Sequence, residues 1–216
     1  MDWAGAKLPI HDPETGGVTQ ASLFVAVLGA SSYTYAEATV SQEMEPWIGA
    51  HVRTFEFLGG LPEVVVPDNA RTAVTKPCRY EPDLNPTYQE MAMHYGVGVV
   101  PARVRKPRDK AKVAVGVQIA QRWIVAALRH RMFFSLSELN TAIRELLEKL
   151  NRRPFKKREG CRRSLFEHVD LPALRALPAE RYDLSVWSKA SVNIDYHVQV
   201  DESFYSVPYA LAQKAG

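Results

Sequence analysis

Asp2, in "MDWAG", and Asp68, in "VVVPDNA", are the two acids of this 216-residue sequence whose positions suggest chemistry. Asp2 opens an expected first strand. Asp68 ends an expected central strand, and in α/β sheets functional groups collect at strand ends. Two carboxylates drawn together resist joint ionisation unless a cation sits between them. Their hard oxygens suit Mg²⁺ or Mn²⁺. Two such ions about 3.5–4 Å apart activate an attacking oxygen and stabilise a leaving one in phosphodiester chemistry. Each acid alone has a plainer reading: "PDN" is a favoured turn sequence, and Asp2 stands next to a terminus. The pair, at these strand positions, carries the catalytic reading.

Residue 114 is out of character with its surroundings. The stretch "RKPRDKAKVAVGVQIAQRW", residues 105–123, reads as a basic loop entering a helix. Val113, Val117, Ala120, Ile124 and Ala127 recur at spacings of three and four, as a buried stripe requires. The opposite flank carries Lys110, Gln118 and Gln121, and Ala114 stands one turn from Lys110 and one from Gln118. Asp109 is the nearest acid, but it lies on another helix face. It reads as an N-cap accepting backbone N–H bonds, worth ~1 kcal/mol, and not as a metal ligand.

Net charge is only +3, and its distribution says more. Residues 103–112 and 152–163 hold 13 of the 27 Lys and Arg residues and only two acids, Asp109 and Glu159. The first cluster is Arg103, Arg105, Lys106, Arg108, Lys110 and Lys112. The second is Arg152, Arg153, Lys156, Lys157, Arg158, Arg162 and Arg163. Two such clusters flanking one helical region are an electrostatic footprint for the phosphates of nucleic acid. Other chemistries lack their signatures. The six histidines show no metal-ligand spacing and read as surface or packing residues. There is no P-loop and no nucleophile elbow. Cys78 and Cys161 are far apart, which favours a reduced, cytoplasmic protein without structural zinc. No apolar run approaches the roughly 18–20 residues of a membrane span, and "MDWAGAKLP" has no signal-peptide pattern.

The elements that must position these residues follow from pattern. Residues 1–8, 22–29 and 32–39 read as three antiparallel strands, with "PETGG" as turn chemistry. Residues 42–59 form a helix on Met44, Trp47, Ile48, Val52, Phe55 and Phe57 or Leu58, closed by Gly59-Gly60. "PEVVVPDN" is a short central strand buried on both faces. Residues 86–95 make a short helix and "GVGVVPAR" another strand, before the long helix 109–131. Ser135 and Glu138 have capping-box spacing, and Leu139, Ile143, Leu146, Leu147 and Leu150 form the next helix's stripe. Trp47 and Trp123 sit on helical stripes and read as core. Residues 152–180 read as a basic linker. In "ASVNIDYHVQVDESFYSVP", Val192, Ile194, Tyr196, Val198 and Val200 alternate with Asn193, Asp195, His197 and Gln199, the mark of a small antiparallel β module. The fold class is therefore α/β: an RNase H-like mixed sheet flanked by helices, then a small antiparallel β-barrel-like module. The expected division is a core over 1–134, a helix and basic linker over 135–178, and the β module over 179–216. The RNase H-like assignment rests on element order, by analogy.

"DWAG" at 2–5, "VVPDNARTAV" at 65–74, "NPTYQEMAMHYG" at 85–96 and "KPRDKAKV" at 106–113 resemble the catalytic domain of IstA-type insertion-sequence transposases, in the wider DDE transposase and retroviral-integrase superfamily. "FFSLSELNTAIRELLEKLNRRPFKK" and the β module also resemble that family, so the likeness covers nearly the whole chain. It implies an Asp, Asp, Glu triad that binds two Mg²⁺ (or Mn²⁺) ions, cleaves the element's 3′ end and transfers the strand to target DNA. By motif match the acids are Asp2 and Asp68. The third position, directly after "DKAKV", is Ala114, so the resemblance implies an enzyme disabled in this chain. It also implies multimers on paired DNA ends and a partner AAA+ ATPase. A designed Glu→Ala change and natural decay compete as explanations, and the intact motif around Ala114 favours design. The start at "MDW" and the end at "ALAQKAG" read as a fragment lacking the family's N-terminal helix-turn-helix. Two rivals stand beside this reading. One is a non-catalytic DNA- or ATPase-binding module that keeps the fold with a degenerate triad; the other is a nuclease of the same fold that only cuts.

Overall fold

The structure is a computed structural model that describes residues 1–67, 74–76, 83–100, 107–184, 191–192, 196–200 and 202–208, without the side chains of 74–76, 83–84, 107–114 and 200. The chain divides into two compact units, Met1–Tyr182 and Asp183–Gly216.

In the first unit, β1 (Asp2–His11), β2 (Val18–Val27) and β3 (Thr34–Thr39) form an antiparallel sheet in the order β1-β2-β3. The β1–β2 turn forms because Asp12 accepts hydrogen bonds from the backbone of Glu14 and Thr15 and from the Thr15 hydroxyl, while Gly16 supplies a φ of 70°. All three expected strands form, although β1 runs three residues longer at its end, β2 starts four residues earlier and ends two earlier, and β3 starts two residues later. A bulge interrupts the ladder between Ala4 and Lys7.

Strand β2 is buried on both faces, with Ser22 through Ala26 all buried, and β3 is buried throughout as well. "SLFVAV" is continuous for that reason. On one face, Leu23 and Val25 pack against α3 (Pro107–Leu128) and α4 (Leu136–Arg152). On the other, Phe24 meets Trp47 and His51 of α1 (Met44–Leu58). The "PEVVVPDN" segment forms only β4 (Val64–Val65), with Val64 about half exposed and Val65 buried. Burial of that strand on both faces is therefore corrected: it is short and alternates.

Strands β5 (Val74–Lys76) and β6 (Asp83–Leu84) pair antiparallel. Helix α2 (Pro86–Tyr95) starts where Asn85 accepts from the Thr87 N–H and ends at Gly96, φ 59°. It leads into β7 (Gly98–Val99), which pairs parallel with β4.

Helix α3 begins at Pro107, so Asp109 lies inside its first turn and is not the N-cap. The described part of its buried stripe is Val117, Ala120, Ile124 and Leu128, and Ala127 is exposed. A 3.6-residue period carries the stripe to 128 once the helix continues past two turns. At α4, Ser135 accepts from the Glu138 N–H as expected, but Glu138 reaches back to the N–H of Phe134. The expected stripe is buried at Leu139, Ile143, Leu147 and Leu150, with Leu146 packed against it.

Two asparagines of α4 seal the sheet edge. Asn140 accepts from the Ala38 N–H and donates to the Ala38 carbonyl, at 2.7 and 3.0 Å. Asn151 does the same to Thr34, at 3.1 and 2.8 Å. An uncovered edge would offer these groups to another chain.

Residues 152–180, expected as a linker, are not one: the chain from Phe155 to Tyr182 is packed onto the core instead. Helix α5 (Arg162–Leu165) runs into a π-helical turn, Phe166–Asp170, and a 3₁₀ turn, Leu171–Ala173. Phe166 stacks on Tyr33 with centroids 4.3 Å apart. Asp170 accepts from the Ser31 N–H, Arg175 pairs with Leu61 through two backbone hydrogen bonds, and its guanidinium donates to the Gly96 carbonyl at 2.7 Å. The pattern failed here because these contacts lie one or two residues at a time on polar sequence, with no periodic apolar face.

In the second unit, β8 (His197–Val200) and β9 (Ser203–Ser206) form an antiparallel hairpin. Asn193 and Asp195, in the expected alternation, lie outside the described residues. Among the described residues no helix is long and apolar enough to cross a membrane.

Candidate active site and nucleic-acid face

Asp2 is the first residue of β1 and pairs across the ladder with Val25. Its carboxylate Oδ1 accepts from the Trp3 N–H at 2.8 Å and is half-buried. Trp3 itself is wedged between Phe24 and Trp47, at 5.5 and 5.7 Å between centroids, so the backbone beneath Asp2 is fixed by packing on both sides. The amino group of Met1 donates to the Val66 carbonyl at 2.9 Å. That bond brings the exit of β4 beside the start of β1. Asp68 comes two residues after Val66 and lies outside the described residues.

Position 114 is carried by the backbone of α3, with its side chain outside the described residues. What is described is how the adjoining turn is held. A Cβ on Gly116 would stand 2.9 Å from both methyl groups of Val27, so only glycine lets the helix approach the strand this closely. Val27 is the last residue of β2, two beyond Val25, the partner of Asp2. The start of β1, the exit of β4 and the 114–116 turn of α3 therefore meet the same end of the sheet. Among the described residues, no group of three or more His, Cys, Asp or Glu could hold a metal. Asp2 supplies a carboxylate of the type that suits a hard divalent cation.

The histidines behave as packing and surface groups. His51 is fully buried; its Nδ1–H donates to the Trp47 carbonyl at 2.8 Å, and its Nε2 accepts from the Tyr88 hydroxyl at 3.1 Å. Burial pushes its pKa down to about 3, so it is neutral at ordinary pH. Trp47 is buried, and Trp123 donates from Nε1 to the Leu146 carbonyl at 3.0 Å.

Of the first basic cluster, Arg103, Arg105 and Lys106 lie outside the described residues. Arg108, Lys110 and Lys112 stand on the first turns of α3 with undescribed side chains. The second cluster divides by partner. Arg152 pairs with Glu148, and Arg163 pairs with Glu148 and Glu167 at 2.9 and 3.0 Å. Such exposed pairs contribute little stability, but they partly neutralise these two cations. Lys156 and Lys157 are exposed. Arg153, Arg158 and Arg162 have no acidic partner among the described residues. They lie on aromatic rings instead: Arg153 over Trp123 at 5.0 Å, and Arg158 and Arg162 over Phe155 at 3.9 and 5.7 Å. Burial, then the proximity of Arg153 and Arg158, lowers the pKa of Arg162.

Sequence reasoning missed Phe155 as the platform of this cationic group. It also missed a cavity of about 410 Å³ between the β2–β3 turn, α3 and the Phe155–Arg162 loop. The available signal was Val115 and Ile119, apolar residues that fall off the helix's buried stripe and that the structure leaves 53% and 40% exposed.

Residues 1–107 match the integrase core domain family, and residues 177–215 match the Mu transposase C-terminal domain family. A protein of Burkholderia multivorans named as a transposase of insertion sequence IS408 is 52% identical over 99% of this chain and 41% of its own length. The chain thus spans about two fifths of the length of the curated relatives it matches first. A chain of the simian T-cell lymphotropic virus intasome, solved with a PP2A regulatory subunit, superposes with a TM-score of 0.56 at 14% identity over 88% of this chain and 60% of that one. The HTLV-2 integrase catalytic core, solved with magnesium, gives 0.52 at 16% identity over 76% of this chain and 95% of that one. At such identity the likeness shows the fold, which is RNase H-like.

Proposed function

From the premise that this chain carries the integrase core of the DDE transposase superfamily and is related to bacterial insertion-sequence transposases, we propose that it is the catalytic part of an IstA-type transposase. The observation that carries the proposal is the meeting of Asp2, the β4 exit that leads to Asp68, and the 114–116 turn of α3 at one end of the sheet. Asp2 and Asp68 hold divalent cations here, with a glutamate at 114 completing the set in the active form. Two Mg²⁺ or Mn²⁺ ions, when bound, supply activation of the attacking oxygen and stabilisation of the leaving one. The protein's own part is placement. The Trp3 N–H bond orients the Asp2 carboxylate, and the Gly116–Val27 contact sets how close the third ligand comes.

The reaction is two exchanges at phosphorus. Water forms a P–O bond as the P–O3′ bond of one phosphodiester breaks, giving a 3′-OH and a 5′-phosphate. That hydroxyl then attacks a target phosphodiester, forming one P–O bond as another breaks, without a covalent enzyme intermediate. The cations of 103–112 and 152–163 neutralise phosphates, in a salt-dependent and largely sequence-blind way. The protein works in the bacterial cytoplasm as a multimer on paired DNA ends, with an AAA+ ATPase choosing the target. The Asp183–Gly216 unit, which includes the β8–β9 hairpin, is proposed as part of a small β-barrel.

With Ala114, one of three carboxylates is missing, and this chain is proposed to be inactive. That same residue favours a second reading, a DNA- or ATPase-binding module that keeps the fold without catalysis. The two separate on Ala114→Glu: given Mn²⁺ and pre-cleaved element-end DNA, a disabled enzyme regains strand joining and a binding module does not.

A further inference from the structure

Beside the 114–116 turn, Val115 and Ile119 face the cavity of about 410 Å³, across from Leu28 and the Phe155–Arg162 loop. Its size falls in the range of pockets that enclose small ligands, about 300–1,000 Å³. Two features set it apart from a surface dent. Its apolar wall includes helix side chains that remain exposed, 53% for Val115 and 40% for Ile119. Arg158 and Arg162 are among its lining residues, and no acidic residue lines it among the described residues. The Arg158 guanidinium carbon stands over the Phe155 ring, 3.9 Å from its centroid, a cation–aromatic pair of the kind on which nucleobases stack. The neighbouring Arg152 and Arg163 are partly neutralised by Glu148 and Glu167; Arg153, Arg158 and Arg162 have no acidic partner among the described residues. Three like charges close together, with no acid among them, present a positive surface to a phosphate.

We propose that this cavity takes one unpaired nucleotide at the end of the DNA, its base against Val115, Ile119 and the Phe155–Arg158 stack and its phosphate on Arg158 and Arg162. The inference rests on the DNA-end reading above and extends it to the form of DNA that is bound. A duplex end must release a base for the cavity to fill, and the energy of unstacking is least where the nucleotide is already single-stranded. The pocket therefore selects DNA ends with a frayed or overhanging strand, and it does so next to the turn that carries position 114.

The test uses the 216-residue chain, with Ala114 in place so that no strand is cut. Fluorescence anisotropy compares a blunt duplex, the same duplex with a short overhang, and that overhang made abasic. The overhang is expected to bind about tenfold tighter than the blunt end, as one stacked base contributes, and the abasic overhang to lose that gain. Ile119→Trp, which fills the cavity, is expected to remove the preference while blunt-end binding stays; Val115→Trp serves if Ile119→Trp melts early. A 2-aminopurine in the overhang is expected to be quenched on binding. Equal binding of all three DNAs, weakened equally by Arg158→Gln and Arg162→Gln, would mean a phosphate contact only and overturn the proposal. So would loss of self-association in Ile119→Trp with the overhang preference intact, since the occupant would then be a second copy of the chain. Absence of any duplex binding would instead refute the DNA reading on which the proposal rests.

Discussion

Gly116 lies against Val27 so closely that a Cβ on the glycine would stand 2.9 Å from both Val27 methyl groups. The contact joins the turn of α3 that carries residue 114 to the strand that pairs with Asp2. An exposed helical Gly→Ala exchange stabilises by about 1 kcal/mol; here overpacking should outweigh that gain. Gly116→Ala is expected to lower the urea midpoint by the equivalent of about 1–2 kcal/mol. Val27→Ala should recover part of the loss in the double variant, because it removes the methyl groups that clash. A Gly116→Ala protein as stable as its parent would show that the helix is free to move away.

Asn151 and Asn140 close the edge of β3 by pairing with both backbone groups of Thr34 and Ala38. Replacing either by Ala leaves a backbone donor and acceptor to find water. Asn151 is buried and Asn140 is half-buried, so Asn151→Ala should cost more, on the order of 2–3 kcal/mol. Thermal melts of both variants would check the ranking, and equal effects would count against it.

His51 gives the fold a pH dependence of definite sign. Its pKa is pushed from 6.5 in the unfolded chain down to about 3 by burial. The stability it contributes is complete above about pH 6.5 and is lost as pH falls through that interval towards 3. Between pH 6.5 and 5 the loss is about 2 kcal/mol. Denaturation at pH 7 and pH 5 should show that fall, and His51→Phe should flatten it even if it is less stable at pH 7.

Phe166 tests whether residues 155–182 are a packed strap. Its stack on Tyr33 is the main apolar contact of the π-helical turn. Phe166→Ala is expected to cost about 3 kcal/mol and to open the 155–175 span to limited proteolysis. Unchanged protease resistance would show that the Leu61–Arg175 backbone pair and the Arg175 guanidinium bond to the Gly96 carbonyl hold the strap by themselves.

The legible parts of this fold were those with period. Three strands, α1, α2, the α3 stripe from Val117 to Ile124 and the α4 stripe all follow from spacing, and the helix end expected at Gly59 has its left-handed backbone. The strap was illegible because Phe166, Asp170 and Arg175 each make one specific contact across the chain, which no local window records. Asn140 and Asn151 look like ordinary polar residues on a helix until the strand edge beside them is seen. At the candidate site, sequence marked Asp2 and residue 114, and the structure adds what holds them, namely Trp3, Val66 and Gly116. Phe155 and the cavity beside it depend on a loop folding back against α3.

The central claim is that Ala114 occupies the place of a third metal-binding carboxylate. The most direct measurement is Ala114→Glu against its parent, with Mn²⁺ titrated by calorimetry and strand joining assayed on pre-cleaved DNA ends. A rise from at most one bound ion to two, with joining only in the glutamate variant, is the expected result. Identical Mn²⁺ binding in the two proteins and no joining in either, with duplex binding retained, would contradict the claim and leave the chain as a binding module.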